Sequence, residues 1–376
     1  MTITPIPSAE LDTRHADITE QLPTLLFPRL DPAVMHQIIV VLSAHNSNPN
    51  GDPDMNNEPR QNPFNEHGII SAVSVKRKIR DYVSDKMGGA SGFAIMIRHG
   101  EVIAQTVYAA LTDAGVSVVE RVAFNDDERA ELLALNEALP GAFVVNEHGV
   151  SYDNSLNGKA LAKIWKDLEA TEINVDIIGR LKSLTAPKDK KAKKADREEI
   201  AGHGPGVITT TFFDARVFGF TAAESAGKLC GPVQVTDFES VRPINTLELT
   251  SVRVARGETS DKDGSSNFGR KTVVDHAVYV GCVHVNPSQA AKTGVSAEDL
   301  GLVLEGLYYG QSLARSAIRS DVRVEALVVL THASRYGSAP YHHLERRLNV
   351  THDGKYGVGV EFDTAELTGV SVCIVR

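Results

Sequence analysis

The feature that most restricts how this chain can fold is a change of pattern between residues 38 and 83. Ile38 to Leu42 is a short unbroken apolar run bounded by polar residues, the length of one buried strand. From Asn46 to His67 the chain is crowded with Asn, Pro and Gly, residues that set turns and leave backbone N–H groups free. Ser71 then offers a helix N-cap, and Ala72, Val75, Ile79 and Val83 recur at helical spacing until Gly88 and Gly89. On that helix Lys76, Arg77 and Arg80 share one flank, because residues one, three and four apart stay within a narrow arc. A strand, a polar loop and a cationic helix together suit a phosphate chain. Asn46, Asn48, Asn50 and Gly51 would supply amides and free N–H groups, and the helix would supply charge. A solvated helix face beside a flexible loop is the alternative reading.

The chain has 376 residues, enough for one large domain with insertions or for two domains. Its 42% hydrophobic and 23% charged residues are ordinary for a soluble globular protein. No apolar run approaches the roughly 20 residues of a membrane span, and the first residues lack a secretory h-region, so a cytoplasmic protein without membrane partners is expected. Cys230, Cys282 and Cys373 are odd in number and widely spaced, which favours reduced thiols over disulfides or a zinc site.

A net charge of −9 argues against indiscriminate coating of nucleic acid but leaves room for a local cationic groove. The basic residues are unevenly placed. Lys182 to Arg197 holds seven Lys or Arg against two Asp, a solvated loop that could still grip phosphates through Lys188, Lys190, Lys191, Lys193 and Lys194.

Residues 1–36 read as a tail or arm and 37–87 as the first part of a main domain. Residues 88–202 read as a mixed, mainly helical insertion, with helices over Val102–Leu111, Asp126–Leu139 and Leu156–Leu168. Trp165 there reads as a core anchor. Residues 203–376 would complete the main domain. The stretch Val207 to Phe220 reads as strand, being rich in β-branched and aromatic residues. Alternation over Leu247–Val254 and Arg270–Val283, separated by the polar turn Gly257–Ser266, reads as a long hairpin spanning about 247–283. A helix over Ala297–Ile318 and strands over Val324–Leu330 and Val370–Val375 follow. The order is compatible with an α+β, ferredoxin-like βαββαβ sheet carrying a large insertion.

Candidate chemistry is sparse. Asp52 and Asp54 lie just past a strand end, where a metal-dependent nuclease would place a carboxylate; loop structure is the alternative. Gly310 to Ala314 resembles a nucleophile elbow but ends in Ala inside a helical pattern. His342, His343 and His352 lack metal-ligand spacing with any Cys. No phosphate-cradling GxxxxGK[ST] occurs, so neither a metal nor a nucleotide cofactor is expected. For binding, Arg216 and Arg242 could join a cationic groove or make structural ion pairs, and Gly231 to Gln234 permits close backbone approach. The chain lacks the aromatic pattern with which RNA-recognition motifs stack bases.

The stretch NSNPNGDPD, then EPR with Arg60, then HGIISAVSVKRKIRDYV, closely resembles the N-terminal signature of the RNA-binding backbone subunit of the CRISPR Cascade surveillance complex, the Cas-seven family of type I-C and I-B systems. The resemblance continues in order through FFDARVFG, GPVQ, FGRK and SAPYHHLERRLNV, and so covers roughly Gln37 to the C-terminus. It implies a palm of RNA-recognition-motif type, a helical fingers insertion and a thumb-like hairpin. Phe268, Arg270 and Lys271 would lie where the thumb of one subunit folds over the guide RNA held by the next. Implied partners are crRNA, target DNA through guide pairing, further copies of the chain and other Cascade subunits, in a noncatalytic scaffold. More distantly similar type III subunits cut RNA with an acid in the corresponding loop, which keeps Asp52 and Asp54 as an alternative. A third reading is a metabolic enzyme whose basic helix binds a small phosphorylated substrate.

Overall fold

The computed structural model describes residues 27–116, 121–122, 124–134, 143–146, 149–152, 156, 158–170, 174–185, 202–221, 228–252, 268–352 and 357–376. They form two compact units, residues 89–231 and the remainder.

The larger unit begins with β1 (His36–Ser47), in which Ile38 through Leu42 are all buried, so both faces of the strand are covered. Two short strands, β2 (Gly51–Asp52) and β3 (Glu58–Pro59), pair within the polar loop, and β4 (His67–Ile70) leads into α1 (Ala72–Lys86). Ser71 caps α1 by accepting from Ser74 N at 3.3 Å, and Val75, Ile79 and Val83 form its buried stripe.

In the second unit come α2 (Ile103–Asp113), β5 (Arg121–Val122), α3 (Asp126–Ala134), β6 (Phe143–Asn146), β7 (Gly149–Tyr152), α4 (Gly158–Glu169) and α5 (Val175–Leu184). Helix α6 (202–211), α7 (Phe213–Phe218), β8 (Gly219–Thr221) and β9 (Lys228–Cys230) complete it. One core gathers Leu132, Phe143, Val150, Leu168, Ile177 and Leu181, with Trp165 packed edge-on to Phe143. A second core holds Met96, Leu111, Ile208, Phe212 and Ala215.

That second core corrects the strand expected over Val207–Phe220. Ile208 on α6, Phe212 at the break between the helices and Ala215 on α7 are buried together, and this burial outweighs the β-propensity of the intervening threonines. Within the stretch, Phe212 is extended where it bridges Ala94, and Gly219 and Phe220 enter β8.

The larger unit resumes with β10 (Val233–Val235), β11 (Phe238–Pro243), β12 (Thr246–Val252) and the 18-residue β13 (Phe268–Val285). Then follow α8 (Pro287–Thr293), α9 (Ala297–Leu313), β14 (Val322–His332), α10 (Tyr341–Glu345), β15 (Leu348–His352), β16 (Val358–Phe362) and β17 (Val370–Val375). Among the described residues the main sheet has eight strands in the order β17-β14-β1-β13-β11-β4, with β10 and β12 also paired to β13; its pairings are antiparallel. Ile39, Val41, Val278, Ala326, Val328 and Leu330 bury one face under the β15–β16 hairpin. Helices α1 and α9 pack together, and α9 also packs on β14. Ser296 and Asp299 form a capping box at the start of α9.

Helix α9 stops at Leu313, short of the Ile318 that the pattern suggests, and residues 315–320 form a turn in which Arg319 N donates to Ser316 O at 3.0 Å. Among the described residues no helix is long and apolar enough to cross a membrane.

Candidate nucleic-acid interface

The polar loop is held against the turn that follows α9. Asn48 N donates to Ile318 O at 2.7 Å, and Arg319 Nε donates to Asn48 O at 3.3 Å. Asn48 Nδ2 reaches Asn57 O at 2.7 Å, whereas its buried Oδ1 has no partner among the described residues. Asn46 is exposed and adopts φ 44, a left-handed conformation that Asn tolerates. Asn50 is used internally: its Oδ1 accepts from Ser71 N (2.7 Å) and Ser71 Oγ (2.9 Å). A side chain at Gly51 would collide with Asn57. Asp52 caps a short 3-10 turn by accepting from Asp54 N at 3.1 Å and pairs with Arg60 at 3.6 Å. Arg60 Nε is buried without a hydrogen-bond partner among the described residues.

The cationic helix divides its basic residues. Arg77 is exposed and paired with Asp81 at 2.7 Å; Lys76 is half-buried and Arg80 is buried. Lys78, which the residue pattern alone does not single out as a ligand, is 6% exposed, and its ammonium donates to Ser74 Oγ at 3.0 Å. Burial, reinforced by the nearby Arg319 guanidinium, lowers its pKa to about 8; Asp81 opposes this but is engaged by Arg77. Lys271, opposite Leu249 in the β12–β13 ladder, donates to Ala317 O at 3.3 Å, in the same turn as Arg319. The turn thus links Asn48, Arg319 and Lys271 directly, and Lys78 lies close enough to Arg319 to feel its charge.

The remaining candidates lie elsewhere. Arg270 is exposed and pairs with Glu248 at 3.3 Å, and Phe268 begins β13 opposite Val252. Gln234 on β10 and Arg242 on β11 are exposed. In the smaller unit Arg216 is buried and donates to Thr209 O at 2.8 Å, while the backbone of Phe218 and Gly219 occupies the space a side chain at Gly231 would need. Lys188, Lys190, Lys191, Lys193 and Lys194 fall outside the described residues, as does the polar turn at 257–266. Cys230 and Cys373 are exposed thiols and Cys282 a buried one. Among the described residues no group of three or more His, Cys, Asp or Glu could hold a metal ion.

Lys78 nonetheless carries a legible signal. It falls three residues after Val75 and one before Ile79, inside the apolar stripe, where a lysine is conspicuous. Arg319 is hidden by the helical pattern that runs on past Leu313.

Comparison with known proteins adds a family. The model of the family described as CRISPR-associated protein Cas7 matches residues 35–366. A curated relative from Haloferax volcanii, described as CRISPR-associated protein Cas7, is 37% identical over 65 residues; the match spans 17% of this chain and 18% of the relative's length. Solved structures with some likeness include a chain of a CRISPR RNA-guided surveillance complex in a pre-nicking state, at TM-score 0.45 and 15% identity over 82% of this chain and 80% of that one. A second CRISPR RNA-guided surveillance complex gives 0.39 and 15% over 82% and 83%. A type III-B Cmr-beta complex bound to cognate target RNA gives 0.32 and 10% over 86% and 68%.

Proposed function

Because the chain belongs to the CRISPR-associated Cas7 family, we propose that it is a noncatalytic, guide-RNA-binding backbone subunit of a Cascade surveillance complex. The observation that carries this reading is the grouping of Lys78, Arg319 and Lys271 around the Asn48 loop. A buried ammonium beside a guanidinium, with the opposing Asp81 paired to Arg77, is unfavourable until an anion arrives. A strand phosphate answers that need and carries no sequence information, so targeting is left to pairing between guide and target DNA. Copies of the chain repeat along crRNA through an open, heterologous contact, alongside other Cascade subunits.

The larger unit serves as a ferredoxin-like palm. Strand order β14-β1-β13-β11, with α1 after β1 and α9 after β13, supports this arrangement. The β12–β13 ladder would be the thumb's base and residues 89–231 the fingers. The endonuclease alternative draws no support from Asp52, which is occupied in capping and in pairing with Arg60; Mg²⁺-dependent RNA cutting abolished by Asp52→Ala would restore it.

The test is RNA affinity measured across a salt series for Lys78→Met combined with Arg319→Gln. Each phosphate that the variant no longer neutralises should lower the logarithmic salt slope by about 0.7. Replacement of Lys76, Arg77 and Arg80 by Ala measures the outer face of the helix separately. Unchanged affinity and slope in both variants would overturn the reading. Replacing Lys188, Lys190, Lys191, Lys193 and Lys194 by Ala should weaken target-duplex binding and spare guide binding.

A further inference from the structure

A cavity of about 340 Å³ opens at the start of β1, away from the Asn48 loop. Met35 and Gln37 line one side, and residues 336–341 line the other. Its wall is built before any ligand arrives. Gly337, at φ 85, turns the segment close over Met35, and Gly337 N donates to Ser334 O at 3.2 Å. Ser338 N donates to Nδ1 of the buried His332 at 2.8 Å. Tyr341 is fixed by edge contact with His284, with ring centroids 4.9 Å apart.

Gln37 is the anomaly. It occupies the β1 face whose next members, Ile39 and Val41, are core residues, yet it carries a carboxamide. The residue is 4% exposed, and its Oε1 has no hydrogen-bond partner among the described residues. An unsatisfied buried amide is unfavourable, and an apolar side chain would serve folding better. The amide's two ends exchange by a half-turn about its last torsion, so it can present a donor and an acceptor edge. Two tyrosines line the same cavity, and the Tyr336 ring is 80% exposed at the rim. The Arg335 guanidinium lies 5.4 Å from that ring's centroid.

We propose that this cavity binds a 6-aminopurine ring, with the Gln37 carboxamide on its donor–acceptor edge, Tyr336 against its face and Arg335 beside its phosphate. A glutamine carboxamide matches adenine N6 and N7 in two hydrogen bonds; cytosine N4 and N3 present a similar edge, so the CMP arm of the test carries the discrimination. The volume lies at the small end of the range for ligand pockets, as a single base requires. The adenine is carried by a free nucleotide or by a strand; the chemistry recognised is the same.

Calorimetric titration of the full-length protein with AMP, CMP and GMP, and with oligouridine strands containing or lacking one adenosine, separates the sources. AMP preference, or preference for the adenosine-containing strand alone, supports the site and names its source. Gln37→Leu should reduce that preference by about tenfold while leaving the melting temperature unchanged or higher. Tyr336→Ala, a change at an exposed ring, should weaken adenine binding without unfolding. Absence of adenine preference in both arms, or a preference that survives Gln37→Leu, overturns the proposal. The mononucleotide arm does not depend on Lys78 or Arg319, so the two readings fail separately.

Discussion

Gly310 of α9 lies against the main chain of Lys78 on α1: a Cβ at Gly310 would come within 2.9 Å of the Lys78 carbonyl oxygen. Gly306, one turn earlier, is equally close to α1, with its Cβ position 3.0 Å from Ile79 Cγ2. The two glycines let the helices approach closely, and this approach fixes the backbone that carries the Lys78 side chain. Gly310→Ala should therefore force the helices apart and destabilise the protein by about 1–3 kcal/mol, read from the midpoint of denaturant unfolding. RNA affinity should fall with it even though no charge has changed. An unaltered midpoint would mean that α1 yields without cost.

Lys78 should also make binding depend on pH. With its pKa near 8, its charge is largely present at neutral pH and is lost as pH rises through 8. RNA affinity should drop across that interval, and Lys78→Met should flatten the profile. For stability the sign is opposite. Below pH 8 folded and unfolded chains both hold the proton and burial opposes folding, whereas between about 8 and the ordinary 10.5 the unfolded chain binds more protons and stability rises with pH. Equilibrium unfolding at a series of pH values checks this arm.

Acid should act through histidines. His36, His276, His284 and His332 all have pKa values lowered from 6.5, with burial the largest cause in each. Below 6.5 the unfolded chain takes up protons that the folded chain resists, so stability present above 6.5 declines as pH falls through the folded values. His332 should be the most telling, because protonating its Nδ1 removes the acceptor of Ser338 N. A melting temperature that stays flat from pH 7 to 5 would contradict this.

Gly281 of β13 provides a test of the sheet. It pairs with Val40, and the Phe238 ring fills the space where its side chain would stand. Gly281→Ala should cost about 1–3 kcal/mol through overpacking. Combining it with Phe238→Leu should recover part of the loss; strictly additive losses would show that the ring is not the obstacle.

Period and punctuation make much of the larger unit legible. Helix α1, its Ser71 cap and β17 follow directly from the residue pattern, and β13 matches its alternation to within two residues at each end, although only Phe268–Val274 pair with β12 and the rest enters the sheet centre. Legibility fails where local preference and tertiary burial disagree, as at Ile208, Phe212 and Ala215, whose shared burial is invisible until Met96 and Leu111 are placed beside them. The candidate site is half legible. The Asn-rich loop and Lys271 stand out as residue types, but Lys78 matters through what surrounds it, and Arg319 through a turn that the helical pattern conceals.

The double acceptance at Asn50 has a practical result for genetics. Its side-chain oxygen ties the loop to the first turn of α1, so the chain consumes, in becoming folded, an amide that looks free to meet a ligand. A mutant lacking it would score as defective in any assay of strand capture, yet the injury would lie in the hinge between loop and helix. Soluble yield and melting behaviour, compared at that position, tell a broken fastening from a missing handhold.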